Sequence, residues 1–163
     1  NGLTTLLSTD ADLPAAQEVA GTTVSASNVI AQLQSIVDAI PSAVYGREDL
    51  KIYIAQNIAK HYVSAQAALG YRDDYHVGQT QMNFQGIPLF VANGLADNKA
   101  VAAQSSNLYF GTGLLSDHNE VKVLDMADLD GSQNARIIMR FTAGVQYGSV
   151  EDIVTYGITN SAN

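Results

Sequence analysis

The stretch FQGIPLFV, residues 84–91, is the strongest buried-strand signal in the chain, and the fold is predicted around it. It is a short apolar run of β-branched and aromatic residues with turn chemistry on both sides. Pro88 cannot donate to a ladder, so we expect it at the first strand residue or on a sheet edge. Asn93 and Gly94 follow the run and tolerate positive φ, which ends the strand.

Helices are predicted before this strand. Residues 29–40 carry one apolar stripe at helical period, with Ser27 as the expected N-cap and Pro41 as the stop. Residues 50–54 alternate as a strand, and residues 57–69 form a second helix closed by Gly70. Six residues are expected to be buried together where the first helix packs on the sheet: Leu33, Ile36, Ile52, Ile54, Leu89 and Val91.

Strands dominate after residue 91. Alternation and turn residues predict strands within residues 100–103, 107–113, 120–126, 137–147 and 152–156, with a bend at Gly144. At the start of the chain, Leu3, Leu6 and Leu7 predict a short strand or helical turn, and residues 8–25 a long surface loop. Helices interleaved with strands, followed mostly by strands, indicate an α+β fold with a mixed sheet and two covering helices.

Composition narrows the classes of function. A chain of 163 residues suits one domain, or one domain with a small appendage. The absence of cysteine excludes a disulfide scaffold and thiolate metal sites, and is most easily reconciled with an intracellular origin. Sixteen acidic against eight basic residues give a net charge of −8, which argues against a nucleic-acid-binding module. No membrane span or signal peptide is visible, and the start at Asn1 rather than Met suggests a fragment.

The acidic residues near the end of the predicted strand 120–126 suggest a calcium site, but their spacing does not match that of a calcium-binding loop. Asp125, Asp128 and Asp130 precede a glycine, but an EF-hand count from that glycine puts Met126 and Ile137 at ligand positions. Neither residue is an oxygen ligand. We therefore interpret the cluster as a turn between strands, and predict no metal site.

No catalytic arrangement is recognised. Ser116, Asp117 and His118 are the residue types of a catalytic triad, but adjacent residues cannot adopt triad geometry among themselves. His61 lies mid-helix and is interpreted as a surface or half-buried helix residue. Gly111 and Gly113 are two glycines at the spacing of a dinucleotide-binding motif, but the third glycine and the following helix of that motif are absent from the sequence pattern. We therefore assign no catalytic, cofactor-binding or metal-binding residues and expect a protein that is not an enzyme.

The polar segment after the second helix is the candidate subunit interface. Tyr71, Arg72, Asp73, Asp74 and Tyr75 combine aromatic anchors with both charges, a composition typical of interfaces. Residues 71–83 are also long for a plain connection, which favours a functional loop. The alternative is a solvated loop whose tyrosines lie on the body of the domain. Composition alone leaves both interpretations open.

From residue 30 onward, the order of these motifs resembles the C-terminal half of a tailed-bacteriophage or prophage major capsid protein, the Hong Kong phage type of shell fold. The residues 84–91 are similar to the family's aromatic-x-Gly-x-Pro-apolar-x-Val strand. Residues 100–111, ending in SNLYFG, look like a strand pair of that fold. Residues 120–124 and 135–147 look like the two long strands of its peripheral domain.

The resemblance implies a domain division and a role. Residues 1–118 would be an axial-domain-like α+β domain, residues 119–150 peripheral-domain-like strands, and residues 151–163 a candidate return strand and tail. The function implied is that of a structural subunit of a virion capsid, assembled in the bacterial host cytoplasm. Its partners would be other copies of the full-length subunit, with no specific nucleic acid, no membrane and no cofactor.

Two qualifications belong to this expectation. The arm, extended loop and spine helix of the family have no counterpart in these residues, so the isolated chain is expected to be a monomer or weak oligomer. The rival hypothesis is a secreted or surface-bound α+β binding module without catalysis. A calcium ion at Asp125, Asp128 and Asp130, or a defined ligand pocket, would favour that rival.

Overall fold

The computed structural model of the chain describes residues 2–69, 82–113, 121–127, 131, 133–139 and 142–161. The helices in these residues are α1 (Leu3–Leu7), α2 (Val29–Asp38) and α3 (Gln56–Ala68), with short 3-10 helices at Ala15–Gln17 and Ser105–Asn107. The strands are β1 (Glu18–Val19), β2 (Leu50–Ile54), β3 (Asn83–Phe84), β4 (Ile87–Val91), β5 (Ala100–Gln104), β6 (Leu108–Thr112), β7 (Val121–Asp125), β8 (Ala135–Met139), β9 (Ala143–Tyr147) and β10 (Val154–Tyr156).

Six strands form one mixed sheet in the order β1-β10-β5-β2-β4-β3. β2 is parallel to β4 and β1 is parallel to β10, whereas the other neighbours are antiparallel. The other four strands form two separate two-stranded ribbons, β6–β9 and β7–β8. The predicted α+β class, with a mixed sheet, covering helices and further strands, is confirmed.

The helices α2 and α3 cover one face of the sheet because each presents an apolar stripe to it. Strand β2 shows the matching alternation, with Leu50, Ile52 and Ile54 buried and the residues between them half-buried. Five predicted core residues are buried in one cluster: Leu33, Ile36, Ile52, Ile54 and Leu89. The sixth, Val91, is only partly buried and packs against the edge of that cluster.

The other face of the sheet is covered over β5 and β10. Val101 and Ala103, the β5 residues that point away from α2 and α3, are at most 2% exposed. They pack with Leu7 of α1 and with Ile153 and Ile158, which flank β10. The leucines near the start of the chain therefore form the predicted helical turn, and its last residue closes a second core.

The strand predicted within residues 84–91 is confirmed for Ile87–Val91, but Phe84 belongs to a separate strand, and the two strands form a hairpin. Phe84 pairs with Ile87, and the two residues between them, Gln85 and Gly86, have φ of 49° and 83°. Two successive positive φ values define a type I′ turn, which usually carries Asn-Gly, so Gln-Gly is a weak signal in a sequence. Pro88 is the second residue of β4 and lies just before the residues that pair with β2.

The prediction that residues 8–25 form a surface loop is also wrong in part. The segment contains the 3-10 helix and β1, an edge strand of the main sheet, and its residues Leu13 and Val24 are buried. Ser27 is not the N-cap of α2, since the helix begins after Asn28 and no side chain caps it. The Asn28 side chain instead accepts a hydrogen bond from the Ser25 amide at 2.7 Å.

The two predicted helices are confirmed, whereas the predicted long strand 137–147 is divided between two ribbons and Gly144 lies inside β9. The predicted helix 29–40 ends at Asp38, and the predicted helix 57–69 spans Gln56–Ala68. The predicted strand 137–147 contributes to both ribbons, as β8 and β9, with residues 140–141 outside the described part. None of the helices in the described residues has the length and hydropathy needed to cross a bilayer.

Candidate subunit interface

The five residues of the predicted interface, Tyr71, Arg72, Asp73, Asp74 and Tyr75, lie outside the described residues, so their role stays a prediction. The structure does describe both ends of their segment. The Tyr62 hydroxyl donates to the Asn83 carbonyl at 2.7 Å, and Gln66 Nε2 donates to the Tyr62 oxygen at 2.8 Å. The chain therefore leaves α3 and returns to β3 at the same corner of the fold.

The β7–β8 ribbon has an apolar face that is open to solvent. Directly opposite residues of an antiparallel pair project to the same face, and here Val121 lies opposite Met139 and Val123 opposite Ile137. Their exposed fractions are 53%, 62%, 66% and 69% in that order. Every large side chain on this face is thus more than half exposed, although the strand alternation is that of a surface that should be covered.

The β6–β9 ribbon carries an apolar face that changes from covered to open along its length. Leu108 and Tyr147, the first opposed pair, pack against the core around α1. The next pair on the same face is Phe110 with Val145, and Phe110 is 70% exposed. The face therefore extends beyond the body of the domain without a covering surface among the described residues.

The root of the β6–β9 ribbon is held by Asn107, which is 9% exposed. Its Oδ1 accepts hydrogen bonds from the amides of Gly148 and Ser149 at 3.0 and 2.8 Å, and its Nδ2 donates to the Ser149 carbonyl at 2.7 Å. A Cβ on Gly148 would lie 2.9 Å from that Oδ1, so the close approach requires glycine. One amide side chain therefore ties together both strands of the ribbon where they leave the sheet.

A second hydrogen bond joins the ribbon to the body. The Tyr147 hydroxyl donates to the Asp10 carboxylate, which also accepts from the Asp12 amide. These two bonds, the one from Tyr147 first, lower the pKa of Asp10. Burial, and then the bond to Asp10, raises the pKa of Tyr147 to about 12. Both groups therefore hold their neutral-pH protonation states, and the bond persists across the physiological range.

Asp49 fixes the corner between β2 and the start of β6. Its carboxylate accepts hydrogen bonds from the Ser106 hydroxyl and from Gln104 Nε2, and these bonds, in that order, lower its pKa. Its carbonyl also accepts from the Ser105 amide at 3.0 Å. The 3-10 helix that leads into the β6–β9 ribbon is thereby attached to the residue that precedes β2.

A second open surface lies on the main sheet, on the face opposite α2 and α3. We call it the open half-sheet and define it by Lys51 and Tyr53 of β2 with Pro88 and Phe90 of β4. Tyr53 and Phe90 lie opposite each other and meet edge to face, with ring centroids 5.7 Å apart. Phe90 is 54% exposed, whereas Tyr53 is half-buried, and this burial followed by the charge of Asp49 raises the pKa of Tyr53.

The described residues show no metal-binding cluster. They contain no cluster of three or more His, Asp or Glu side chains that could hold a metal ion. Asp125 is exposed, while Asp128 and Asp130, like Ser116, Asp117 and His118, lie outside the described residues. A shallow groove of about 480 Å³ runs beside α3 and is lined mainly by apolar and small polar side chains, among them Ala59, Val63, Met82 and Val91. Its lining offers surface for contact rather than an acid–base pair.

Sequence reasoning located the strands of both ribbons but not their exposed faces. The alternation of Val121 and Val123 with Lys122 predicts a strand with one covered face. The alternation does not tell whether that face is covered by residues of the same chain or by another molecule. The openness of this face could therefore be read only from the structure.

Comparison with solved structures shows a relationship in fold. A solved structure of a protein from Mycobacterium phage Che8 superposes with a TM-score of 0.66 at 19% sequence identity. The match covers 93% of this chain and 57% of the phage protein, so the chain spans little more than half of that protein's length. No family model and no curated protein matches the chain. At this identity the likeness establishes a shared fold with a phage protein.

Proposed function

We propose that the chain is a structural subunit of a tailed-phage capsid shell, which acts by packing against other copies and not by catalysing a reaction. Two independent lines support this role. The fold is shared with a phage protein over 93% of the chain. The motif order in the sequence, from residue 30 onward, resembles the major capsid family.

The observation that carries the proposal is the open apolar face of the β7–β8 ribbon. A two-stranded ribbon is marginally stable in water without further packing. Large exposed apolar patches on folded proteins mark sites of association. Here Val121, Val123, Ile137 and Met139 are all more than half exposed on one face, which is the surface expected of an element completed by another chain.

The mechanism would be mechanical. Five or six subunits meet around a symmetry axis, and each uses one surface toward one neighbour and a different surface toward the other, so that the ring closes. The segment with Tyr71, Arg72 and Tyr75 serves as the ring contact. A net charge of −8 suits a shell that encloses nucleic acid without binding it tightly. The place of action is the virion capsid, assembled in the cytoplasm of the bacterial host.

The test is to express the complete open reading frame that encodes this chain and to examine the particle fraction by electron microscopy. We expect rings or closed shells that contain the chain by mass spectrometry. Replacing Val123 and Ile137 with serine should abolish the particles, because it removes apolar surface from the open face. The matched control is Tyr45→Ser, which changes a residue of the main domain that is 51% exposed.

A negative result is equally informative. Only soluble monomer from the complete reading frame, with unchanged behaviour of the Val123 and Ile137 variant, would reject the shell role. Calcium bound at Asp125 under the same conditions would instead favour the rival hypothesis of a binding module.

A further inference from the structure

Two of the surfaces that are at least partly open in the described residues are of equal width. The first is the apolar face of the β7–β8 ribbon, and the second is the open half-sheet of Lys51, Tyr53, Pro88 and Phe90. Both are two strands wide. Along each strand, residues of one face recur every second position, about 6.6 Å apart. A ribbon face can therefore lie on the half-sheet as the second layer of a sheet-on-sheet packing.

On each surface, residues that lie opposite each other on the two strands form a row across the surface. Each row of the ribbon can lie on one row of the half-sheet. On the ribbon, the row after Val123 and Ile137 consists of Asp125 and Ala135. On the half-sheet, Tyr53 and Phe90 form one row, and Lys51 lies two residues earlier on β2. When Val123 and Ile137 of the ribbon lie on Tyr53 and Phe90 of the half-sheet, the exposed Asp125 carboxylate can lie over Lys51.

This pairing of rows is complementary in both chemistry and charge. The aromatic rings offer rigid, large contact area to the branched aliphatic side chains. The Lys51 and Asp125 charges favour this orientation over the reversed one, in which the lysine would face an apolar row. Open protein surfaces with an apolar centre and a charge at the margin are typical of interfaces between subunits.

The contact cannot be one that a single chain makes in this structure. Phe90, Val123 and Ile137 are 54%, 66% and 69% exposed, so neither surface covers the other. We propose that the open half-sheet binds the apolar face of the β7–β8 ribbon of a second copy of the chain. This inference rests on the proposed shell role, because both partners must be copies of one chain. Each copy offers both surfaces, so the contact repeats from copy to copy.

Cross-linking between two differently tagged copies tests the contact, and the chain has no natural cysteine to interfere. One copy carries Phe90→Cys and the other Val123→Cys. Packed sheets are about 10 Å apart, whereas a disulfide joins Cα atoms at most about 7 Å apart, so a short bis-maleimide is the appropriate probe. The ribbon control is Leu124→Cys, one residue along β7 and on the opposite face. Because Leu124 is 38% and Val123 66% exposed, each cross-linking rate is divided by the rate at which the same cysteine reacts with a monofunctional maleimide.

We expect the Val123→Cys and Phe90→Cys pair to cross-link at least about tenfold faster than the Leu124→Cys and Phe90→Cys pair, as a preference of about 1.4 kcal/mol would produce. A second control replaces Phe90→Cys by Tyr45→Cys, which is similarly exposed at 51%, and should give only the slow rate. Lys51→Glu should slow the productive pair, and Asp125→Lys in the ribbon copy should restore it.

Equal rates for Val123→Cys and Leu124→Cys would overturn the proposal. Faster linking of Val123→Cys to itself than to Phe90→Cys would overturn it too, in favour of a ribbon-to-ribbon contact. Particles seen by electron microscopy together with equal cross-linking rates would reject this contact and leave the shell role standing. Failure of the shell role, in contrast, is read from the absence of particles.

Discussion

At the scale of single residues, the clearest case is the pair Ile52 and Leu89, which lie opposite each other on β2 and β4 and are 0% and 4% exposed. Ile52→Ala or Leu89→Ala is expected to lower the free energy of unfolding by about 2–5 kcal/mol, because the change loses buried apolar surface and leaves a cavity. Phe90→Ala, one residue away and 54% exposed, is the control and should cost clearly less. Urea denaturation measures all three; an unchanged midpoint for both core variants would contradict this assignment of sheet faces.

Tyr147 links stability to alkaline pH. Its pKa in the folded chain is raised from 10.0 to about 12, so the folded state holds the phenol proton more tightly than the unfolded state does. The resulting stabilisation is fully present below pH 10 and is lost as the pH rises toward about 12. Tyr147→Phe should therefore flatten the decline of the unfolding free energy over this interval. Denaturation at a series of pH values checks this, and an identical decline in both proteins would refute it.

Asp10 makes the corresponding prediction on the acid side. Its pKa is lowered in the folded chain, chiefly by the hydrogen bond from Tyr147, so its stabilisation is present above the unfolded pKa and is lost as the pH falls through the folded value. Asp10→Asn should flatten the acid limb of the stability profile, and Tyr147→Phe should flatten part of it. If the unfolding free energy of Asp10→Asn falls at acid pH as steeply as that of the wild type, other carboxylates determine the acid sensitivity of the fold.

At the scale of elements, the β6–β9 ribbon depends on the amide side chain at its root. Asn107→Ala removes the Oδ1 acceptor of the Gly148 and Ser149 amides and the donor to the Ser149 carbonyl, while the Gly148 amide keeps its bond to the backbone carbonyl of residue 107. The loss of these side-chain bonds should cost about 1–3 kcal/mol. Asn107→Asp keeps the acceptor for the two amides but puts a carboxylate oxygen against the Ser149 carbonyl, so it should not restore the wild-type stability. Hydrogen exchange of the β6 and β9 amides should accelerate in Asn107→Ala. Unchanged protection of these amides would show that the ribbon is held elsewhere.

At the scale of the whole molecule, the 163-residue chain alone is expected to be a monomer or weak oligomer. The resemblance implies that most of the surface between subunits belongs to parts of the shell fold without a counterpart here. The open ribbon and half-sheet then provide only weak association in solution. Sedimentation velocity over a concentration series measures this, and stable pentamers, hexamers or shells at micromolar concentration would contradict it.

The predicted ring contact is tested in the complete reading frame. Replacing Tyr71, Arg72 and Tyr75 together with alanine should impair the formation of rings, because it removes both aromatic anchors and the cation of the segment. The domain itself should stay folded, since the replacements leave every residue of the core described around Ile52 unchanged. Electron microscopy and circular dichroism separate the two effects. Normal shells at wild-type yield would favour the alternative of a solvated loop.

Local patterns in the sequence determined the period and the apolar face of most elements. The stripe of α2, the alternation of β2 and the five buried core residues were predictable because helix and strand periods place side chains on faces without reference to the rest of the fold. The α+β class follows from the order of those elements. The net charge of −8 is likewise a property of the sequence alone.

Only the tertiary structure decided which elements pair and which faces are covered. Gln85 adopts a positive φ because β3 and β4 pair around it, and β1 is a strand because β10 offers it an edge. Both depend on residues distant in sequence or on the pairing itself, which local propensity does not encode. The same holds for Val123 and Ile137: alternation puts them on one face, but only the packing of the described residues shows that this face is open to solvent.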